Sequence, residues 1–182
     1  MAIAAGFNPE GGSRNYHFST YDSHSELWRA LRLVRGYKKP SWGYFLRAES
    51  FYNVATREEE YADFLHPSEK YHEKSHGESF LAVAQKYLTP GGLYFLDEPE
   101  AALSPQRQLT LLMEIFQCAR QGAQLFMVSH SPILLGLPGA RILSFDDGEV
   151  HPCAYEETES YQVMEMFINS RELLLKKLLK DL

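Results

Sequence analysis

Leu93–Leu96 and Leu125–Val128 are short, unbroken apolar runs, the pattern expected of strands buried on both faces of a parallel sheet. Between them, Ser104-Pro105 marks a helix start, a cap followed by proline at the first helical position. Leu109, Leu112, Phe116 and Ala119 recur there at helical spacing until Gly122, which predicts them as the inward face. Upstream, Ser75 and Glu78 have the spacing of a capping box, followed by Phe80, Leu81, Val83, Ala84, Tyr87 and Leu88 on a predicted helix. Pro90-Gly91-Gly92 is a predicted turn. Aromatic Trp42–Arg47 predicts another strand. Leu27, Leu31 and Val34 predict a helix closed by Gly36, and Phe51, Val54, Glu58, Tyr61 and Leu65 a helix broken at His66-Pro67. Downstream, Arg141–Phe145 is expected as a third buried strand, Asp147-Gly148 as a hairpin turn into Val150, and residues 158–182 as helix. Core packing is the expected role of the terminal Leu173–Leu182, with an amphipathic interaction helix as the alternative. The order of elements predicts a parallel α/β sheet with a small antiparallel appendix.

The 182 residues suit one domain, read as 1–74, 75–155 and 156–182 in sequence. A net charge of −6 supplies no general basic field for nucleic acid, which stays possible but is not indicated by charge. Arg29, Arg32, Arg35, Lys38 and Lys39 cluster, which reads as a solvated face. Two distant cysteines, Cys118 and Cys153, fit a reducing cytosol better than a disulfide scaffold or a zinc site. No apolar run approaches membrane-spanning length, so a soluble cytoplasmic protein with no membrane partner is expected.

Candidate chemistry lies at the strand ends. Asp97-Glu98 follows an apolar strand, which sets both carboxylates at the carboxyl edge of the sheet, where ligands bind in open α/β folds. Phosphoryl transfer uses two such groups: Asp97 to hold magnesium through water, and Glu98 to orient or deprotonate the attacking water. His130, after the next strand, is placed to sense a terminal phosphate. Ser75-His76-Gly77-Glu78 offers a hydroxyl and backbone N–H groups at a helix start, an anion site with glycine allowing close approach. Taken singly, each has a plainer reading: a surface Asp-Glu pair, a hydrogen-bonded histidine, an ordinary cap. His72 and His76 also have metal-ligand spacing, within a polar linker. A nuclease would need an acidic metal-binding domain after His130, where only about fifty residues remain and Asp146-Asp147 lies in a turn.

The order and spacing of these motifs resemble the ABC-type ATPase superfamily, in particular bacterial stand-alone ATPases grouped with AAA-type domains. Ser75–Ser79 is similar to the signature motif, Leu93–Pro99 to the Walker B strand with its catalytic glutamate, Ala101–Ser104 to the D-loop, and His130 to the switch histidine. The likeness covers about residues 42–150. It implies ATP and Mg2+ as cofactors, with Asp97 for the metal and Glu98 and His130 catalytic. It further implies Ser75, Gly77 and Glu78 facing the nucleotide of a partner chain, and therefore a head-to-tail homodimer. Tyr44–Glu49 takes the place of the Q-loop without a glutamine, Glu49 being its nearest polar substitute.

No G-x-x-x-x-G-K-[ST] occurs in these residues. Ala2–Asn8 resembles the end of the helix that follows the phosphate-binding loop, so the resemblance implies a P-loop NTPase sheet without its amino-terminal P-loop strand and loop. The expectation is a truncated copy of an ATPase, inactive alone. The alternatives are a non-catalytic partner subunit that lends its signature to an intact ATPase, and a decayed or inhibitory remnant with no catalytic role. Without the P-loop strand, Leu93–Leu96 is expected to present an unpaired apolar edge.

Overall fold

The computed structural model describes residues 1–14, 26–37, 39–40, 42–51 and 75–180. The chain divides into two compact units, Met1–Ser129 and His130–Leu182.

The first unit is built on a four-stranded mixed sheet in the order β1 (Gly12–Ser13), β2 (Gly43–Arg47), β3 (Leu93–Asp97), β4 (Gln124–Val128). β1 is antiparallel to β2, and the other pairings are parallel. β3 is thus paired on both sides, and the unpaired edge expected for Leu93–Leu96 does not exist. The register aligns Phe45, Phe95 and Phe126, and beside them Leu46, Leu96 and Met127. Because side chains alternate across a pleated sheet, these two rows face opposite ways.

On one face, Phe45 and Phe95 join Ala2, Ala5 and Phe7, with Leu33, Leu93 and Phe126 packed against the cluster. The chain reaches that position through a single 3₁₀ turn, Ile3–Ala5, stopped by left-handed Gly6. On the other face, Tyr44, Leu46, Tyr94 and Leu96 meet Val83, Ala84 and Tyr87 of helix α1 (His76–Tyr87). Tyr87 stacks on Tyr44 at 4.4 Å and on Trp42 at 6.0 Å. Fully buried Tyr94 keeps its hydroxyl satisfied by accepting from the Thr89 N–H and donating to the Thr89 carbonyl.

Helix α2 (Pro105–Arg120) packs on α1 and β4. Ser104 caps it by accepting from the Arg107 N–H, with Pro105 in the first turn. Its buried stripe is Gln108, Leu111, Ile115 and Cys118, one position removed from the predicted one, and Leu109 is exposed. Burial of Gln108 and Cys118 is feasible because the Gln108 Nε2 donates to the Leu103 carbonyl at 3.0 Å and the Cys118 thiol to the Thr89 carbonyl at 3.3 Å. β4 is only half-buried, with Val128 exposed: it is the last strand of this sheet among the described residues, not a strand covered on both faces. The helix predicted around Leu27–Val34 shrinks to a 3₁₀ segment, Glu26–Ala30. Leu27, Leu31 and Val34 are exposed and bury nothing that would support a longer helix. Of the helix predicted from Phe51 to Leu65, only buried Phe51 falls among the described residues, and His72 lies outside them.

The second unit begins with the short helix α3 (Pro132–Leu135), capped by Ser131, whose hydroxyl accepts from the Ile133 and Leu134 N–H groups. β5 (Ile142–Ser144) and β6 (His151–Cys153) form a separate antiparallel hairpin. The Arg141–Phe145 segment is therefore not a third buried strand of the parallel sheet, and Leu143 and Phe145 are exposed. Helix α4 (Glu159–Leu178) is capped by Thr158 and broken at Ser170, where φ is −134° and ψ is 28°. None of its residues is buried, so the core-packing role expected for the terminal leucines is not realised. Among the described residues, no helix is long and apolar enough to cross a membrane.

Candidate functional site

Parallel register sets Arg47 directly opposite Asp97, each the last residue of its strand. The Arg47 Nε donates to Asp97 Oδ2 at 3.1 Å, and its Nη2 pairs with Glu49 Oε2 at 2.6 Å. One guanidinium thus bridges both carboxylates, a geometry lysine could not reproduce. The Ala48 N–H donates to the Asp97 carbonyl at 3.2 Å, and the Glu98 N–H to the Val128 carbonyl at 3.0 Å, so the backbone on each side of Asp97 is fixed.

Glu98 departs from the sheet with φ 47° and ψ 50°, the one non-glycine residue with positive φ among the described residues. Pro99 follows, and a residue preceding proline is disfavoured in the right-handed helical region. Holding an L-residue in the left-handed region costs about 1–2 kcal/mol, a cost usually met at functional positions. The turn Pro99–Ala102 then leads into α2.

Arg47–Glu49, His76, Asp97, Glu98 and Ala101 line a cleft of about 210 Å³ at the carboxyl edge of the sheet. The cleft therefore brings together three residues singled out in the sequence, Glu49, Asp97 and Glu98. It adds Arg47, which sequence reasoning missed, and His76, which the sequence offers only as part of the helix start and as a metal ligand paired with His72. His76 sits edge-on to Phe51 at 5.5 Å. The signal for Arg47 was slight: a cation at the end of a strand, two residues before Glu49.

Ser75, Gly77 and Glu78 belong to a second cluster. The Ser75 hydroxyl and N–H both donate to Glu78 Oε2, at 2.7 and 3.0 Å, while Arg107 Nη2 pairs with Glu78 Oε1 at 2.8 Å. The Ser75 hydroxyl, its N–H and then the Arg107 charge hold the Glu78 carboxyl below its usual range. A depressed carboxyl supports the fold above its unfolded value, and that support is lost as pH falls through the folded one. Gly77 is buried: a Cβ there would lie 2.7 Å from the Ala102 carbonyl oxygen and 2.9 Å from Arg107 Nη1. Its observed role is to let the start of α1 approach the Pro99–Ala102 turn. His130 follows β4 and is the first residue of the second unit, with an exposed side chain.

Among the described residues, no group of three or more His, Cys, Asp or Glu side chains is arranged to hold a metal ion. A site with one carboxylate still fits magnesium, which binds nucleotide through one or two carboxylates, phosphate oxygens and water. Asp97 could offer such a carboxylate, since the Arg47 Nε engages its Oδ2.

No curated protein and no solved structure matches the chain. Residues 78–136 match the family model described as "AAA domain, putative AbiEii toxin, Type IV TA system". The matched stretch includes Asp97, Glu98 and His130, and leaves out Arg47, Glu49, Ser75 and Gly77. About a third of the chain thus carries an AAA-domain likeness, which supports a P-loop ATPase-like, nucleotide-binding character compatible with the α/β architecture.

Proposed function

We propose that this chain is an ABC-type ATPase head whose cleft at the end of β3 handles the Mg2+-bound phosphates of ATP. Asp97 takes the metal, Glu98 directs the attacking water, and His130 reads the terminal phosphate. Bound magnesium would neutralise charge developing on the transferred phosphoryl group. What the chain itself does is orient and move protons. The strand end fixes Asp97, and the left-handed backbone turns Glu98 away from the run of the strand beside the cleft. The observation that carries this reading is that pair of adjacent carboxylates at the carboxyl edge of a central parallel strand, the second held in a costly conformation. The phosphate-binding loop is supplied outside these residues, by more of the same polypeptide or by a partner subunit. In the sandwich dimer, exposed Ser75 at the start of α1 faces the partner's nucleotide.

The test is Glu98→Gln in an ATPase assembled from this chain and a phosphate-binding loop. Turnover should fall by about 10²–10⁴-fold, the range for losing a general base, while MgATP binding persists. Wild-type turnover in that variant would overturn the Glu98 assignment. The 182 residues alone should show no Mg2+-dependent turnover.

A further inference from the structure

Asp97 is already paired with a cation. Among the described residues its side chain has one ion-pair partner, Arg47, and the same guanidinium holds Glu49. Arg47 and Asp97 are well shielded, with side chains 25% and 35% exposed, whereas Glu49 is 77% exposed. The pairing is built into the fold, because parallel register fixes the two residues side by side and neighbouring strands lie about 4.8 Å apart. The guanidinium brings a full positive charge into the cleft.

We propose that Arg47 is a resident counter-cation: it occupies Asp97 and keeps free divalent metal out of the cleft. The inference rests on Asp97 being the metal carboxylate. A divalent ion at Asp97 would stand within about 5 Å of the guanidinium. Even at the dielectric constant of water, that repulsion lowers affinity by about tenfold. A metal ion arriving with polyphosphate brings compensating negative charge, and the free Nη1 donor of Arg47 can take one of its oxygens. The cleft therefore selects the metal–phosphate complex over the bare ion.

The experiment is an Mn2+ titration of the 182-residue chain without nucleotide, followed by electron paramagnetic resonance of the free ion. Arg47→Met should bind Mn2+ about tenfold more tightly than wild type, and adding Asp97→Asn should abolish the gain. Arg47→Gln, polar and of similar reach, repeats the test if the methionine variant does not fold. If removing Arg47 leaves affinity unchanged or weakened while Asp97→Asn still lowers it, the counter-cation is overturned and the metal reading stands. If no variant binds Mn2+, Arg47 is not what keeps the bare ion out, and the counter-cation is overturned.

Discussion

The two units of this chain bury their apolar residues to very different extents. In Met1–Ser129, β3 has a partner on each side, and Tyr94, Leu96, Phe80, Val83, Leu111 and Ile115 are almost completely enclosed. In His130–Leu182, the longest helix among the described residues buries no residue, and Val163, Phe167, Ile168, Leu173 and Leu178 are exposed. The first unit is held by an extensive apolar core, the second by the Ser131 and Thr158 caps, the hairpin, buried Leu134 and the Tyr155 hydroxyl donating to the Pro132 carbonyl at 2.7 Å. The candidate cleft belongs to the first. A site that must hold a guanidinium between two carboxylates needs strands that cannot slip, and a doubly paired central strand provides that.

That contrast can be broken most severely at Phe80, which is fully buried on α1 against Phe51. Phe80→Ala should destabilise the first unit by about 3–5 kcal/mol in urea unfolding, the range for deleting a core aromatic. A loss below 1 kcal/mol would mean that this core is not cooperative. Gly77→Ala comes next. Its new methyl would press on the Ala102 backbone carbonyl, which cannot swing aside as the Arg107 side chain can. A loss of about 1–2 kcal/mol is expected, overpacking partly offset by alanine's better helix propensity. Unchanged or increased stability would show that α1 and the Pro99–Ala102 turn are not in close contact. The smallest effect lies in the second unit. Thr158→Ala removes the cap of α4 and should cost about 1 kcal/mol, read as lost helicity in far-UV circular dichroism. A loss as large as that of Phe80→Ala would show that α4 is held by more than its own cap.

Much of the first unit was legible in the sequence for identifiable reasons. β3 was a clean apolar run between Gly92 and Asp97, and α1 announced itself through Ser75 and Glu78. Periodicity predicts α2 with an inward face one position later than the buried one. Two adjacent stripes suit a core there, and the buried one includes Gln108 and Cys118, whose carbonyl partners only folding reveals. β4 has the composition of an inner strand, yet position in the sheet, not composition, decides burial. The site divided in the same way. Asp97 and Glu98 could be located because a strand end aims its residues from local sequence alone. Arg47 could not, since its pairing with Asp97 depends on the register of two strands fifty residues apart. No periodicity predicts the left-handed backbone of Glu98.

The molecule has two tryptophans, Trp28 and Trp42, and both lie in the first unit, Trp42 stacked on Tyr87. Indole emission therefore originates in the first unit, whereas far-UV ellipticity also carries the 20-residue α4. A melt followed by emission and a melt followed by ellipticity record different parts of one chain. Where the two curves separate, a single melting temperature has no meaning for this protein, and each unit needs its own.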